Sequence, residues 1–366
     1  MSPAPRPSHD ASQAPLPPRD GAGITEDEAA LYDRQLRLWG VEAQNRMRQS
    51  RVLLAGSFRG ISTEVAKNIV LAGVGKVSLL DDSKVEWRDL GSGYWQREED
   101  IGQFRVEVVA PRLQLLNPRV EITTHTRQDE LLADEIFLDG FDLIVVTDRD
   151  AKTVSRVNAL CRKLSKKFFA AASVGIHGWV FADLLQHDFV IDEQKSAGPG
   201  EPTKVVPLKL SRSYCPFDDA LTKHDFGAKG QKKLRKKTMK KREVLWAVLC
   251  QSIHQLSRSS DLWVSTLRLE SEQEQDGNVD LTTEILRKKA DEYLPSIGVA
   301  ATDLSDPVIS RFISLRGHEF APSCAIVGGV LGQDVLNTVG GKEEPVRNLM
   351  VFDGDLGEGG VWALGC

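Results

Sequence analysis

The chain is 366 residues long, with 41% hydrophobic and 27% charged side chains, a balance that supports one large or two ordinary domains and excludes a disulfide-stapled miniature, wholesale disorder and a fibrous repeat. Its 52 acidic and 47 basic residues give a net charge of -5, so nothing global points to nucleic acid, and any basic partner site must be local. Cys161, Cys215, Cys250, Cys324 and Cys366 show no CxxC spacing and read as buried thiols of a reducing compartment rather than zinc ligands. No stretch approaches the roughly 18 to 20 apolar residues of a membrane span, and the expectation is a soluble protein of cytosol or nucleus.

Residues 1–22 are rich in Pro, Ser and Ala, have little apolar bulk beyond Leu16, and are expected to form a disordered tail. Thr25, ahead of Glu26, Asp27 and Glu28, is a candidate N-cap for one or two helices carrying Leu31, Leu36, Leu38 and Met47. Arg34, Arg37, Arg46 and Arg48 ride on the same segment, and a solvated helix face accounts for them by default. Arg51–Gly56 reads as a buried strand, Glu64–Ala72 as a helix broken by Gly73 and Gly75, and Val77–Asp81 as a second strand, together a βαβ unit. Asp81 follows Gly56 by about 25 residues, close to the spacing of a ribose-binding carboxylate. Phe141–Thr147 is a third strand ending at Asp148, followed by a helix over Thr153–Leu164 and a strand over Lys167–Ser173.

This alternation predicts an α/β fold with a doubly wound, mostly parallel sheet. Beyond Ala182 the pattern loosens, and 192–204 reads as a linker into an inserted region that passes through Tyr214-Cys-Pro-Phe217. Nine bases and no acid lie between Lys229 and Arg242, as a solvated helix face, a nuclear-import signal or an electrostatic patch. Val244–Leu249 and roughly 261–294 look helical, a glycine-rich apolar helix begins at Cys324, and Leu349–Asp353 is a final strand. The expected organisation is a tail over 1–22, a first α/β part over 23–185, an inserted helix-and-loop region over 186–307 and a C-terminal α/β part over 308–366.

A dinucleotide loop needs glycines so that backbone can approach the pyrophosphate and helix amides can hold its charge. Here the loop reads Gly56-Ser-Phe58-Arg59-Gly60-Ile61-Ser62, with Phe58 and Ile61 where GxGxxG would have its second and third glycines. The bulk suggests a fold kept after its ligand was lost; the rival reading has Arg59 grip phosphate. His177, at a strand end, has no nucleophile in a recognisable motif beside it and reads as a hydrogen-bonded structural histidine. Trp39, Trp87 and Trp95 read as core or as a partner-facing surface.

Tyr32-Asp-Arg34-Gln-Leu-Arg37-Leu-Trp39-Gly40 followed by the βαβ unit resembles the N-terminal half of the ubiquitin-like modifier activating enzymes, which are built from two MoeB/ThiF-type adenylation repeats. Within that family the chain is most similar to the regulatory subunits that activate SUMO. The likeness extends through Arg51–Val77, Gly102–Pro118, Tyr214–Phe217 and Pro322–Gly329 with Gln333 and Asp334, and is patchy over 186–307. Active repeats carry a glycine-rich loop, a DxD-like strand end, an Asn and Arg pair on the phosphates, a lysine, and a magnesium-binding aspartate followed by Asn. Here Asp81 and Asp148 keep the two carboxylate positions. The second acid of DxD falls on Ser83, the Asn and Arg pair on Gly91 and Ser92, the lysine on Arg105, and Arg149 replaces the final Asn.

The resemblance therefore implies a degenerate nucleotide site at Gly56, Gly60, Asp81, Arg105 and Asp148, with no metal site and no cofactor held by this chain. No cysteine lies in a recognisable thioester-forming segment. The resemblance also implies an obligate heterodimer with a catalytic subunit whose own site uses ATP and Mg²⁺ on SUMO, and nuclear residence. Arg34 would then be supplied in trans to the ATP phosphates of the partner, a role suited to a planar guanidinium that stays charged. Neither nucleic acid nor membrane is an expected partner. Two alternatives stay open: a self-sufficient MoeB-type adenylating homodimer, and a regulatory subunit for another ubiquitin-like modifier.

Overall fold

The computed structural model describes residues 24–195, 204–223, 243–257 and 281–365. The expected tail over 1–22, the basic run 229–242, most of 261–281 and Cys366 lie outside the described residues.

Two helices, α1 (Glu26–Leu31) and α2 (Asp33–Gln49), form an N-terminal arm. Thr25 caps α1 as expected: its hydroxyl accepts from the Glu28 amide at 3.2 Å while the Glu28 carboxylate takes the Thr25 amide at 3.0 Å, a reciprocal capping box. Gly40, at φ 82°, kinks α2, a conformation that glycine adopts without Cβ strain.

The body is an eight-stranded sheet in the order β10-β9-β6-β5-β4-β1-β2-β3. Strands β1 (Arg51–Gly56), β2 (Lys76–Leu80), β3 (Glu121–His125), β4 (Leu143–Thr147) and β5 (Lys167–Val174) run parallel, as the βαβ reading requires. An antiparallel flank completes the sheet: β9 (Leu349–Asp353) is the expected strand, though not the last, whereas β6 (His177–Asp183) and β10 (Glu358–Trp362) go beyond what the sequence pattern predicts. Gly175, at φ 57°, turns the chain straight from β5 into β6, so one apolar stretch supplies two strands.

Helices cover both faces. On one, α3 (Gly60–Leu71), α4 (Arg105–Gln114) and α12 (Ala321–Gly340) bury a core with Met47, Phe58, Val65, Val327 and Leu331. The glycines of α12 let it approach α3 closely: a Cβ on Gly328 would stand 2.7 Å from Cβ of Glu64, and one on Gly332 would stand 3.0 Å from Cβ of Asn68. The short α5 (Gln128–Leu131) and α6 (Glu135–Asp139) lie between β3 and β4. On the other face α7 (Ala151–Lys163), α8 (Phe217–Thr222), α9 (Glu243–Ser257), α10 (Thr283–Ser296) and α11 (Asp306–Ser314) share a second core with the sheet, including Val157, Phe181, Trp246, Leu286 and Phe312. Helix α3 begins at Gly60, four positions before the expected Glu64, because the loop itself winds into the first turn.

Where the sequence suggests a linker, β7 (Gln186–Lys195) and β8 (Lys204–Ser213) form a two-stranded antiparallel ribbon. Four cysteines, at 161, 215, 250 and 324, are free and buried, as small apolar residues would be. Among the described residues no helix is long and apolar enough to cross a membrane.

Candidate functional site: a filled nucleotide crevice

In an open parallel sheet the ligand crevice lies past the carboxyl ends of the strands, where strand order reverses. That point here lies between β1 and β4, and Gly56, Asp81 and Asp148 stand at the ends of β1, β2 and β4. The topology thus gathers three of the predicted residues, and Gly60 and Arg105 join them. Arg34 stands apart on the arm, exposed.

The crevice is occupied by its own side chains. Asp81 is buried and turns Oδ2 to the Phe58 amide at 2.7 Å and Oδ1 to the Ser83 amide at 2.8 Å. Burial raises its pKa, against the pull of Arg105 and these amides. Asp81 is wholly buried, and each of its oxygens already accepts from an amide of its own chain. Arg105, in the lysine position, donates to both oxygens of Asp89, at 2.7 and 3.1 Å, and lies 3.5 Å from Asp81. Arg59 brings Nε to 3.1 Å from Asp89 and 3.5 Å from Glu319. It pairs with acids of its own chain rather than pointing free toward phosphate. Phe58 and Ile61 are wholly buried in the core beside Cys324.

Glu319, just ahead of α12, accepts from the Gly60 amide at 3.1 Å and from the Ser92 hydroxyl. Asp148 accepts from the Ser173 amide at 2.9 Å, and its Oδ2 has no hydrogen-bond partner. Burial, followed by the nearby Glu319 charge, holds its pKa above the usual carboxylate range. Arg149, in place of the family's Asn, pairs with Asp129 at 2.7 Å. Gly91 has open space around its Cα.

Asp89 and Glu319 were missed by sequence reasoning. Asp89 sits near the Gly91-Ser92 positions but matches no phosphate motif, and Glu319 is 259 positions from the amide it binds, so no spacing rule reveals it. Four carboxylates, Asp81, Asp89, Asp148 and Glu319, face two guanidinium groups. The crevice's acids and guanidinium groups are engaged largely with one another and with the loop amides.

The arm is arranged differently. Asp33 pairs with Arg37, Nε to Oδ1 3.2 Å, whereas Arg34 has no ion pair or side-chain hydrogen bond among the described residues. Leu38 and Val41 on the same helix are exposed. Trp95 is in the core, Trp39 packs against it, and Trp87 is 68% exposed, so the three tryptophans do not form one cluster.

His177 is buried between Asp353 and Asp355, with Nδ1 3.4 Å from one and Nε2 3.7 Å from the other, a set within reach of a single cation. The Gly354 amide donates to Nδ1 at 3.2 Å, and Arg311 pairs with Asp355 at 2.7 Å. Nδ1 is taken by the Gly354 amide and Nε2 faces Asp355, so both ring nitrogens have partners inside the fold. This is the arrangement of a structural histidine.

Residues 32–358 match the ThiF family. The chain belongs to the ThiF family. It is 36% identical over 336 residues to the DNA damage tolerance protein RHC31 of Saccharomyces cerevisiae, covering 90% of this chain and 95% of that one. It is 34% identical over 360 residues to the human SUMO-activating enzyme subunit 1, covering 94% and 97% of the two chains. The Xenopus tropicalis SUMO-activating enzyme subunit 1 is 34% identical over 365 residues, covering 95% and 99%. Among solved structures the fold is similar to PaaA, with a TM-score of 0.51 at 14% identity, covering 92% of this chain and 83% of that one. It is also similar to E. coli MccB, with a TM-score of 0.50 at 14% identity, covering 93% and 72%.

Proposed function

We propose that this ThiF-family chain is the non-catalytic subunit of a heterodimeric SUMO-activating enzyme. The reading rests on relatives that carry the name SUMO-activating enzyme subunit 1 along nearly their whole length. The observation that carries it is the filled crevice: loop amides and strand-end carboxylates that an adenylating repeat would turn to ATP are spent on one another. In-line transfer at an α-phosphate depends on positioning and charge neutralisation, and this crevice offers neither.

The chemistry then belongs to the catalytic subunit, which holds ATP and Mg²⁺. There a carboxylate oxygen of the SUMO C-terminal glycine attacks the α-phosphorus and pyrophosphate leaves; a partner cysteine thiolate next attacks the acyl adenylate and AMP leaves. This chain completes the assembly and contributes Arg34, whose fork of donors is exposed and uncommitted while its neighbour Arg37 is held by Asp33. The reading includes residence in the nucleus and no contact with nucleic acid or membrane.

SUMO-dependent exchange between ATP and pyrophosphate tests the assignment. The chain alone should give no exchange, and the chain with its catalytic subunit should give full exchange. Arg34→Ala should lower the rate by roughly 10- to 100-fold with the heterodimer intact, less than the 10³ to 10⁵ of arginines that complete a site in trans elsewhere. Undiminished exchange by that mutant pair would remove Arg34 from the mechanism. Exchange by the chain alone would favour a self-sufficient enzyme working through Asp81 and Asp148.

A further inference from the structure

The first turn of a helix presents amides without intrahelical partners and favours an anion. Helix α3, twelve residues long, opens into the crevice with no acid in its first turn and no side-chain cap from Arg59. The carboxylate that reaches it comes from Glu319. That side chain is only 3% exposed, and Oε2 meets the Gly60 amide at 3.1 Å, the Ser92 hydroxyl, and Arg59 Nε at 3.5 Å. Backbone pairing of Glu319 with Gly175 holds it in place. The fit is close, since a Cβ on Gly60 would lie 3.2 Å from Oε2 and 2.7 Å from Cys324.

Two observations set this apart from an ordinary cap. Glu319 Oε1 and Asp148 Oδ2 are buried without hydrogen-bond partners, and Arg59 Nε, also buried, has no well-aligned bond to either neighbouring acid. Such groups are costly unless something compensates them. The donor turn and the Arg59 guanidinium, which Asp89 shares, are the donors of an anion site, and the Glu319 carboxylate lies against both.

We propose that Glu319 is an internal anion: its carboxylate occupies the phosphate position at the start of α3 and keeps phosphate ligands out of this chain's own crevice. The inference rests on the reading of that crevice as a former nucleotide site, but its test involves neither SUMO nor the catalytic subunit, so the two can fail separately. Removal of the carboxylate should leave the Gly60 amide, the Ser92 hydroxyl and Arg59 facing a vacant position that an external phosphate can enter.

The experiment is thermal denaturation of the full chain with inorganic pyrophosphate, against sodium chloride of equal ionic strength. The wild-type midpoint should not respond to pyrophosphate beyond the chloride control. Glu319→Ala should melt lower, and saturating pyrophosphate should raise its midpoint by about 3 °C or more. Glu319→Gln, which keeps the shape and loses the charge, provides a second variant should the alanine form fail to fold, and should show a smaller rise. Adding Arg59→Ala to either variant should abolish the rise. Loss of stability without rescue in both Glu319 variants would make Glu319 a structural contact only and overturn the proposal. Specific stabilisation of the wild type by pyrophosphate would also overturn it, because the position would then be open.

Discussion

Gly56 shows how tightly a single residue is dictated at the end of β1. Its φ is 114°, and an added Cβ would stand 1.9 Å from the Thr147 carbonyl oxygen and 2.7 Å from the Thr147 nitrogen on β4. Both obstacles are backbone, so neither can swing aside. Gly56→Ala should therefore cost about 3 kcal/mol or more in urea unfolding, combining backbone strain with overpacking. Gly102 makes the contrast, since it shares a positive φ of 88° but has open space around it; Gly102→Ala should cost only the conformational term, about 1 kcal/mol. Equal losses at the two sites would refute the steric account. Gly56, Asp81 and Asp148 were legible in the sequence because strand ends in a βαβ pattern have a fixed geometric meaning. Glu319 and Asp89 were not, because what makes them matter is a contact across the tertiary fold.

At the scale of elements, the arm that carries Arg34 is secured at its base. Glu28 closes the capping box and also receives Arg48 at 2.7 Å, while Tyr32 is buried and takes the Asn117 side-chain amide at 2.8 Å. Burial works to raise the Glu28 pKa, but the Thr25 amide and the charges of Arg48 and Arg119 outweigh it and hold the carboxyl low. Thr25→Ala should cost about 1 kcal/mol and should speed amide hydrogen exchange in α1 with sheet amides unchanged; protection of α1 equal to wild type would show the cap to be idle. The Thr25 cap was legible because it is local, a threonine ahead of three acids and a helical period, whereas the return bond from Glu28 came with the structure. The β7–β8 ribbon was not. His187 and Phe189 do alternate with exposed neighbours, but charge is spread along both strands and Pro207 interrupts the second, each of which weakens a strand signal. Strand β6 was hidden for the opposite reason. All seven residues of β6 are buried, including His177 and Asp183 at its ends, and a uniformly buried run carries no period from which to tell its partners or direction.

Across the whole molecule, stability is linked to pH through acids whose folded-state affinity for protons moves in opposite directions. The Arg112 hydrogen bond holds Asp100 low, so its contribution is present above the ordinary carboxylate range and lost as pH falls through its lowered pKa. Asp334, buried on α12 with Oδ2 accepting the Val346 amide at 2.8 Å, is pushed by burial to about 7. Its native state binds more protons than the unfolded chain between the ordinary carboxylate range and about 7, so stability falls as pH rises through that window. Every tenfold difference in proton affinity between the folded and unfolded chain is worth about 1.4 kcal/mol, so a shift at one buried acid is felt in a marginal total. Asp334→Asn keeps an oxygen for the Val346 amide and cannot ionise. The substitution should flatten the decline in urea midpoint between pH 5 and pH 8 and should leave the variant at least as stable as wild type at pH 8. A variant profile parallel to wild type would mean that Asp334 does not change protonation across this range, and that the burial of a charged carboxylate on α12 is compensated elsewhere in the fold.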